Sequence, residues 1–284
     1  MIERAEHLEQ LLHDAILLAE GARDNAVARH LRSARLSLHE MRHGEDLVLV
    51  DLLSGRVFSN GMPVALARSE LALVLALAVH GRGGAPREAL AEEIYRDSPL
   101  ESALGSIRVL VHRVRRRFGC HDVIRYVDGR LVLGERVAIE LAQIEKDVHA
   151  ALVGEELGDL QRDRFARLRG RMLDGRPAFL LEWPWFDACE ARLRDLADQV
   201  SLVLARDALR REDYQRAVDY ASDLMRADPL NESAAEIAIR AFLLAGDRTA
   251  AILEYHRYAS SLRREIDSRP PPSLRELVDG LPPG

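Results

Sequence analysis

The stretch SPLESALGSIRVLVHRVRRRFG, residues 98–119, decides the fold. Its first four residues, SPLE, combine a capping box with a proline at the first helical position, and Gly119 is typical of a helix end. The pattern predicts a helix over residues 99–118 with one packed side and one basic side. Its packed side is expected to contain Leu104, Ile107, Leu110 or Val111, Val114 and Phe118.

The segments on both sides of this helix predict a winged helix-turn-helix. Upstream, LVLVDLL and RVFSNGMPVALA read as extended segments, and Asn60-Gly61 favours a type I′ hairpin turn. Ser69 is expected to cap a helix over SELALVLALAVHG, and Pro86 to open a second over PREALAEEIY. Downstream, DVIRYVDGRLVLG alternates as a β-hairpin about its Asp-Gly pair. A sheet, three helices and a hairpin, in this order, make up such a domain.

The flanking segments are predicted to be helical. Residues 1–43 carry apolar residues at helical spacing in two runs, which is typical of a helical hairpin. Towards the C-terminus, similar residues recur 34 residues apart, the length of a tetratricopeptide helix pair. These pairs are Asp213 and Asp247, Ala217 and Ala251, Leu209 and Leu243, and Ala208 and Phe242.

The predicted fold class is therefore mainly α with small β elements, in three domains. Residues 1–43 form the helical hairpin extension, and residues 44–136 the winged helix-turn-helix DNA-binding domain. Residues 137–284 form a C-terminal tetratricopeptide-like α-helical domain.

Charge points to one part of this fold. The chain carries a net charge of −6, which argues against indiscriminate binding to nucleic acids. Between residues 104 and 130, however, the sequence contains seven arginines and only two aspartates, which gives a local charge of +5. This basic concentration falls on the predicted helix and hairpin, and it favours binding to double-stranded DNA.

The sequence lacks the signatures of several other classes. It contains no phosphate-binding GxxxxGK loop, no GxGxxG, no GxSxG and no HExxH, so we expect neither an enzyme nor a cofactor. Cys120 and Cys189 have no neighbouring ligands at metal spacing, which predicts ordinary thiols and no metal site. With no long apolar run and no signal peptide, we expect a cytoplasmic protein without a membrane partner.

The exposed side of the predicted helix supplies the candidate DNA contacts. A helix fits the major groove, where arginine pairs with guanine and small apolar groups meet other base edges. The alternative for any basic helix face is simple solvation. We expect base contacts from Arg108, Val109, His112 and Arg113, phosphate contacts from Ser106, Arg115, Arg116 and Arg117, and wing contacts from Arg125 and Arg130.

Three features leave alternatives open. Gly105 costs a helix about 1 kcal/mol relative to alanine; packing against the preceding helix is the favoured compensation, and close approach to DNA is the alternative. Arg130 either contacts DNA or is a turn residue that faces water. Trp183 and Trp185 favour core packing at a domain seam, with a partner or ligand surface as the alternative.

Residues 46–281 resemble the Streptomyces antibiotic regulatory protein (SARP) family, in which an OmpR-type winged helix precedes a bacterial transcriptional activator domain of tetratricopeptide-like helices. The resemblance rests on the order of PREALAEEIY, ALGSIRVLVHRVRRRFG, FLLEWPWFDACEARL, REDYQRAVDYASDLMRADPLNESA and AGDRTAAILEYHRY. It implies a sequence-specific activator that binds promoter repeats as a homodimer and contacts RNA polymerase. It also assigns base reading to Arg108, Val109, His112 and Arg113, phosphate contacts to Arg115 and Arg116, and a wing contact to Arg130.

Two other functions remain open at this point. One is a protein-interaction scaffold, in which the winged helix docks a protein and the repeats bind a peptide. The other is a regulator that senses a small molecule near Trp183 and Trp185.

Overall fold

The computed structural model describes residues 14–16, 18–19, 48–154 and 157–279. Most of the helical hairpin predicted at residues 1–43 lies outside the described residues. The chain divides into two compact units, one of residues 1–147 and 170–194 and the other of residues 148–169 and 195–284. Residues 170–194 thus belong to the first unit, although they were expected in the C-terminal domain. The predicted division into three domains itself stays a prediction.

The fold is mainly helical with two small sheets, which confirms the predicted class. The strands are β1 (Val48–Asp51), β2 (Arg56–Ser59), β3 (Met62–Pro63), β4 (Ala85–Pro86), β5 (Ile124–Val127), β6 (Arg130–Leu133) and β7 (Val137–Ile139). The helices are α1 (Arg68–His80), α2 (Arg87–Ile94), α3 (Leu100–Phe118), α4 (Glu140–Val153), α5 (Asp159–Leu173), α6 (Ala178–Leu181), α7 (Phe186–Arg210), α8 (Tyr214–Ala227), α9 (Glu232–Leu244), α10 (Arg248–Ile266) and α11 (Pro272–Val278).

Both sheets are built on the predicted turns. The first has the strand order β3-β2-β1-β7, with β7 parallel to β1 and the other pairs antiparallel. The second has the order β4-β6-β5. Asn60 and Gly61 have φ values of 47° and 73°, and Asp128 and Gly129 have values of 47° and 81°. Positive φ at both central residues is the requirement of a type I′ turn, so both hairpin predictions are confirmed.

Helices α2 and α3 of the winged helix-turn-helix both pack against α1. Residues 72–78 of α1 are all buried, so the middle of this helix is covered on every side instead of along a single stripe. Helix α3 packs against α1 and α2. Its buried residues follow the predicted period, and they are Ala103, Ile107, Leu110, Val111 and Val114.

Two predicted helix caps are wrong. Helix α1 begins at Arg68, with Ala67 as its N-cap, and Glu70 Oε2 accepts the Ala67 backbone N–H at 2.9 Å. Helix α3 has Pro99 as its N-cap, without a side-chain cap. The backbone N–H of Ser98 instead donates to the Tyr95 carbonyl at 2.9 Å, so Ser98 belongs to the turn after α2. Gly119 does end α3, in the left-handed conformation at φ 64°.

The second unit shows the predicted repeat in its caps. Asp213 and Asp247, 34 positions apart, cap α8 and α10 with nearly equal backbone angles, and each side chain accepts the N–H three residues ahead. Ala217 and Ala251, at the matching positions in these helices, are both fully buried. The recurrence therefore reflects two helices that start and pack in the same way.

Candidate nucleic-acid interface

Helix α3 presents the predicted base contacts on its exposed side. Arg108, Val109, His112 and Arg113 are all exposed, while Ile107 and Val114 on the other side are fully buried. Within the described part of the chain, no hydrogen bond or ion pair involves Arg108, His112 or Arg113. These side chains are therefore available to an external partner.

The predicted phosphate contacts separate into two groups. Arg116 is exposed and has no hydrogen bond or ion pair among the described residues. Arg115 donates from Nε and Nη2 to the Ile124 carbonyl at 2.9 and 2.7 Å, which ties the end of α3 to strand β5. Arg117 lies 3.7 Å from the buried carboxylate of Glu70, and the Ser106 hydroxyl donates to the Ser102 carbonyl at 3.1 Å.

The wing arginines are held by the protein itself. Arg130 donates to the carbonyl oxygens of Gly83 and Gly84 at 2.8 and 2.6 Å, and Arg82 donates to the Gly134 carbonyl at 3.0 Å. Arg125 pairs with Glu135 at 3.1 Å. The β5–β6 hairpin is thereby fastened to the connection between α1 and α2. Contacts of Arg125 and Arg130 with DNA stay a prediction.

Two exposed residues of the wing were not predicted from the sequence. Tyr126 and Val127 are 54% and 42% exposed, and the Arg87 guanidinium lies 5.3 Å from the Tyr126 ring centroid. The alternation in β5 was the available signal, because residues beside a hairpin turn with no sheet covering them remain open to solvent. Arginine positions alone do not reveal them.

Gly105 is not explained by packing. It is exposed on α3, and no atom of the described chain lies within 4 Å of a Cβ built on it, its own helix backbone and chain neighbours apart. The favoured expectation, compensation through contact with the preceding helix, is therefore wrong. The space beside Gly105 is open.

A buried charge cluster lies in the first unit. Arg171 donates to Asp51 Oδ2 at 3.0 Å and to Glu140 Oε1 at 3.2 Å, and both carboxylates are buried. Burial, followed by the charge of Asp51, raises the pKa of Glu140 to about 7. Burial also opposes ionisation of Asp51, but Arg171 and hydrogen bonds from Glu140 and Ser54 lower the pKa of Asp51 below its usual value. A proton on Glu140 therefore stabilises this pair of carboxylates.

The tryptophans lie in an aromatic cluster of the first unit. The ring centroids of Trp183 and Trp185 are 6.2 Å apart, and Trp185 meets the buried Phe186 edge to face at 6.0 Å. Arg68 lies 5.6 Å from the Trp183 ring and pairs with Glu182. Both indoles are half-buried, and a partner or ligand surface here stays a prediction.

Comparison with known proteins identifies a domain in the C-terminal part of the sequence and a related fold. Residues 153–281 match the model of the bacterial transcriptional activator domain. The sequence has no significant match among curated proteins. The fold is similar to that of Mycobacterium tuberculosis EmbR, solved in complex with a low affinity phosphopeptide, with a TM-score of 0.57 and 20% sequence identity. The similarity covers 83% of this chain and 65% of EmbR, slightly less than two thirds of that protein's length, and it shows a shared fold.

Two further observations on the described residues bear on other functions. None of the helices there has the length and apolar character needed to cross a membrane. Nor do three or more histidine, cysteine, aspartate or glutamate side chains in those ranges come together as a metal site.

Proposed function

We propose that the chain is a SARP-type regulator that binds promoter DNA through α3 and activates transcription through contact with RNA polymerase. The match of residues 153–281 to the bacterial transcriptional activator domain supports this proposal. The exposed side of α3 carries the proposal. There, Arg108, Arg113 and Arg116 have no carboxylate partner among the described residues. An exposed arginine without a partner in the protein can bind a base edge or a phosphate without first losing an internal contact.

The roles of these side chains follow from their positions on α3. Arg108, Val109, His112 and Arg113 face the bases, where arginine donates two hydrogen bonds to O6 and N7 of guanine. Arg116 lies nearer the C-terminal end and binds phosphate. Arg115 acts mainly within the protein, because two of its three guanidinium nitrogens donate to the Ile124 carbonyl.

The remaining parts of the proposal concern assembly. Residues 153–281 would provide the contacts with a second copy of the chain and with RNA polymerase. Two copies side by side would place two α3 helices on successive promoter repeats. The protein would act in the cytoplasm, without an enzymatic activity of its own.

Selection from random double-stranded DNA with the full chain tests the proposal. We expect one sequence to be enriched, and we expect Arg113→Ala to weaken binding to it by about 1 to 3 kcal/mol, with a smaller loss on random DNA. Arg116→Ala should lower the slope of log K against log salt by about 1 and leave base preference unchanged.

Arg263→Ala is the control, because it removes an exposed arginine from α10, far along the chain from α3. It should leave both affinity and salt dependence unchanged. Equal losses on selected and random DNA for Arg113→Ala would refute the base-reading role. A failure to enrich any sequence would favour a protein-interaction scaffold instead.

Activation is tested separately, by transcription in a reconstituted system with RNA polymerase and a template that carries the selected sequence. The wild-type chain should raise transcript yield. Arg113→Ala should abolish this increase at concentrations where the variant no longer occupies the template.

A further inference from the structure

Gly105 lies on the same side of α3 as the arginines without partners. Residues 105, 108, 109 and 112 are spaced by three and four positions, so they line one face of the helix. Gly105, Arg108, Val109 and His112 are all exposed. The open space beside Gly105 is therefore part of the surface that faces DNA in the proposed complex.

Nothing in the described part of the chain accounts for glycine at this position. The φ angle of Gly105 is not positive, so its backbone is one that any residue adopts. No other part of the described chain approaches within 4 Å of the place where a Cβ would be. Alanine is much the better helix former, and a side chain as small as a methyl group meets no obstacle within the described protein.

On this face Gly105 has one apolar neighbour, Val109, beside the charged residues Glu101 and Arg108. Val109, one helical turn further on, is 48% exposed and has no polar group. The neighbouring hydroxyl of Ser106 donates to the Ser102 carbonyl. Val109 has no donor for a phosphate, whereas the major groove offers one apolar group that fits against it, the C5-methyl of thymine.

We propose that Gly105 and Val109 read thymine, by admitting its C5-methyl group against Val109 in the space that a Cβ of residue 105 would fill. The inference rests on the proposed binding of α3 in the major groove. The position of Gly105 in the second turn of α3 supports this inference, since recognition helices contact base edges through their N-terminal part.

Gly105→Ala tests the protein side of this contact. The variant should melt a few degrees higher than the wild type, because alanine favours the helix. It should nevertheless bind the selected DNA at least about fivefold more weakly, because the new methyl group occupies the space of the base. A gain in stability combined with a loss of affinity is not expected from general damage to the fold.

Gly170→Ala is the matched control. Gly170 is also an exposed helical glycine, in α5, with nothing of the described chain within 4 Å of a built Cβ. This variant should also melt slightly higher, and its affinity for DNA should equal that of the wild type.

The DNA side is tested by replacing each thymine of the selected sequence with uracil, which lacks the methyl group. At one thymine of each repeat, the wild-type chain should lose about threefold to fivefold in affinity. For the Val109→Ala variant, uracil at that position should cause no further loss of affinity, because the variant already lacks the side chain that contacts the methyl group.

The outcomes separate this inference from the proposed function. If the wild-type chain selects no sequence, both are wrong. If it selects a sequence that Arg113→Ala fails to bind, while Gly105→Ala binds it as tightly as the wild type, the thymine contact is wrong and DNA binding stands. The thymine contact is also wrong if no uracil substitution weakens binding.

Discussion

Helices α3 and α5 each carry five arginines, yet the two sets have different partners. On α5, Arg162, Arg169 and Arg171 form ion pairs with Asp207, Asp223 and Asp51 at 2.6, 2.6 and 3.0 Å. On α3, three arginines have no partner among the described residues, and they are Arg108, Arg113 and Arg116. Three arginines of α5 are therefore part of the fold, whereas three arginines of α3 are open to a partner.

The difference lies in the carboxylates that the tertiary structure brings near. Asp51 and Asp207 are buried, and a buried carboxylate is costly unless a cation compensates it. Arg108, Arg113 and Arg116 on α3 meet no such group among the described residues. Arginine content alone thus does not identify a DNA-binding helix. The feature that favours α3 is a cluster of three arginines without internal partners on its exposed side.

The largest effect is expected at Arg171. Arg171→Met should lower the free energy of unfolding by about 3 to 5 kcal/mol, because it leaves Asp51 and Glu140 buried without their cation. Urea denaturation of the full chain measures the change. Arg108→Met, at an exposed position of α3, should stay within about 0.5 kcal/mol of the wild type. Equal stabilities of the two variants would contradict the contrast between the helices.

A smaller effect on stability should distinguish Arg115 from its neighbour Arg116 on α3. Arg115→Ala should cost about 1 to 2 kcal/mol of stability, because it removes both hydrogen bonds to the Ile124 carbonyl. Arg116→Ala should leave stability within about 0.5 kcal/mol. Thermal unfolding of the two variants side by side checks this, and a more destabilised Arg116 variant would show that the roles are exchanged.

Much of the fold could be predicted from local chemistry. Asn60-Gly61 and Asp128-Gly129 specify their turns because few residue pairs accept positive φ at both positions. The period of α3 identified its buried side, since a helix fixes which residues share a face. The complete burial of the middle of α1 was not predictable in this way, because it depends on elements that surround the helix from distant parts of the chain.

The candidate site was predictable to a similar extent. The exposure of Arg108 and Arg113 follows from the same helical period. The engagement of Arg115 and Arg130 does not, because their partners are backbone carbonyls, which every residue carries and no sequence pattern marks. The open space beside Gly105 could not be predicted from the sequence either, since glycine in a helix is equally compatible with tight packing and with open space.

The last prediction concerns the proton held beside Arg171. Burial raises the pKa of Glu140 to about 7, from an ordinary value of 4.5. A carboxyl group with a raised pKa stabilises the fold fully below its unfolded pKa, and this contribution is lost as the pH rises through about 7. Glu140→Gln removes this titration while keeping a side chain that donates to Asp51 and accepts from Arg171.

Urea denaturation of Glu140→Gln and the wild type between pH 5 and pH 8 measures this contribution. The difference between the two unfolding free energies should move in favour of the glutamine variant as the pH rises, because other titrating groups are common to both proteins and cancel. Glu135→Gln, at an exposed carboxylate outside the cluster, should follow the wild-type profile in parallel. A difference that stays constant across this range would mean that Glu140 remains ionised beside Asp51. Arg171 alone would then compensate two buried charges, and α5 would hold its carboxylates entirely by ion pairing.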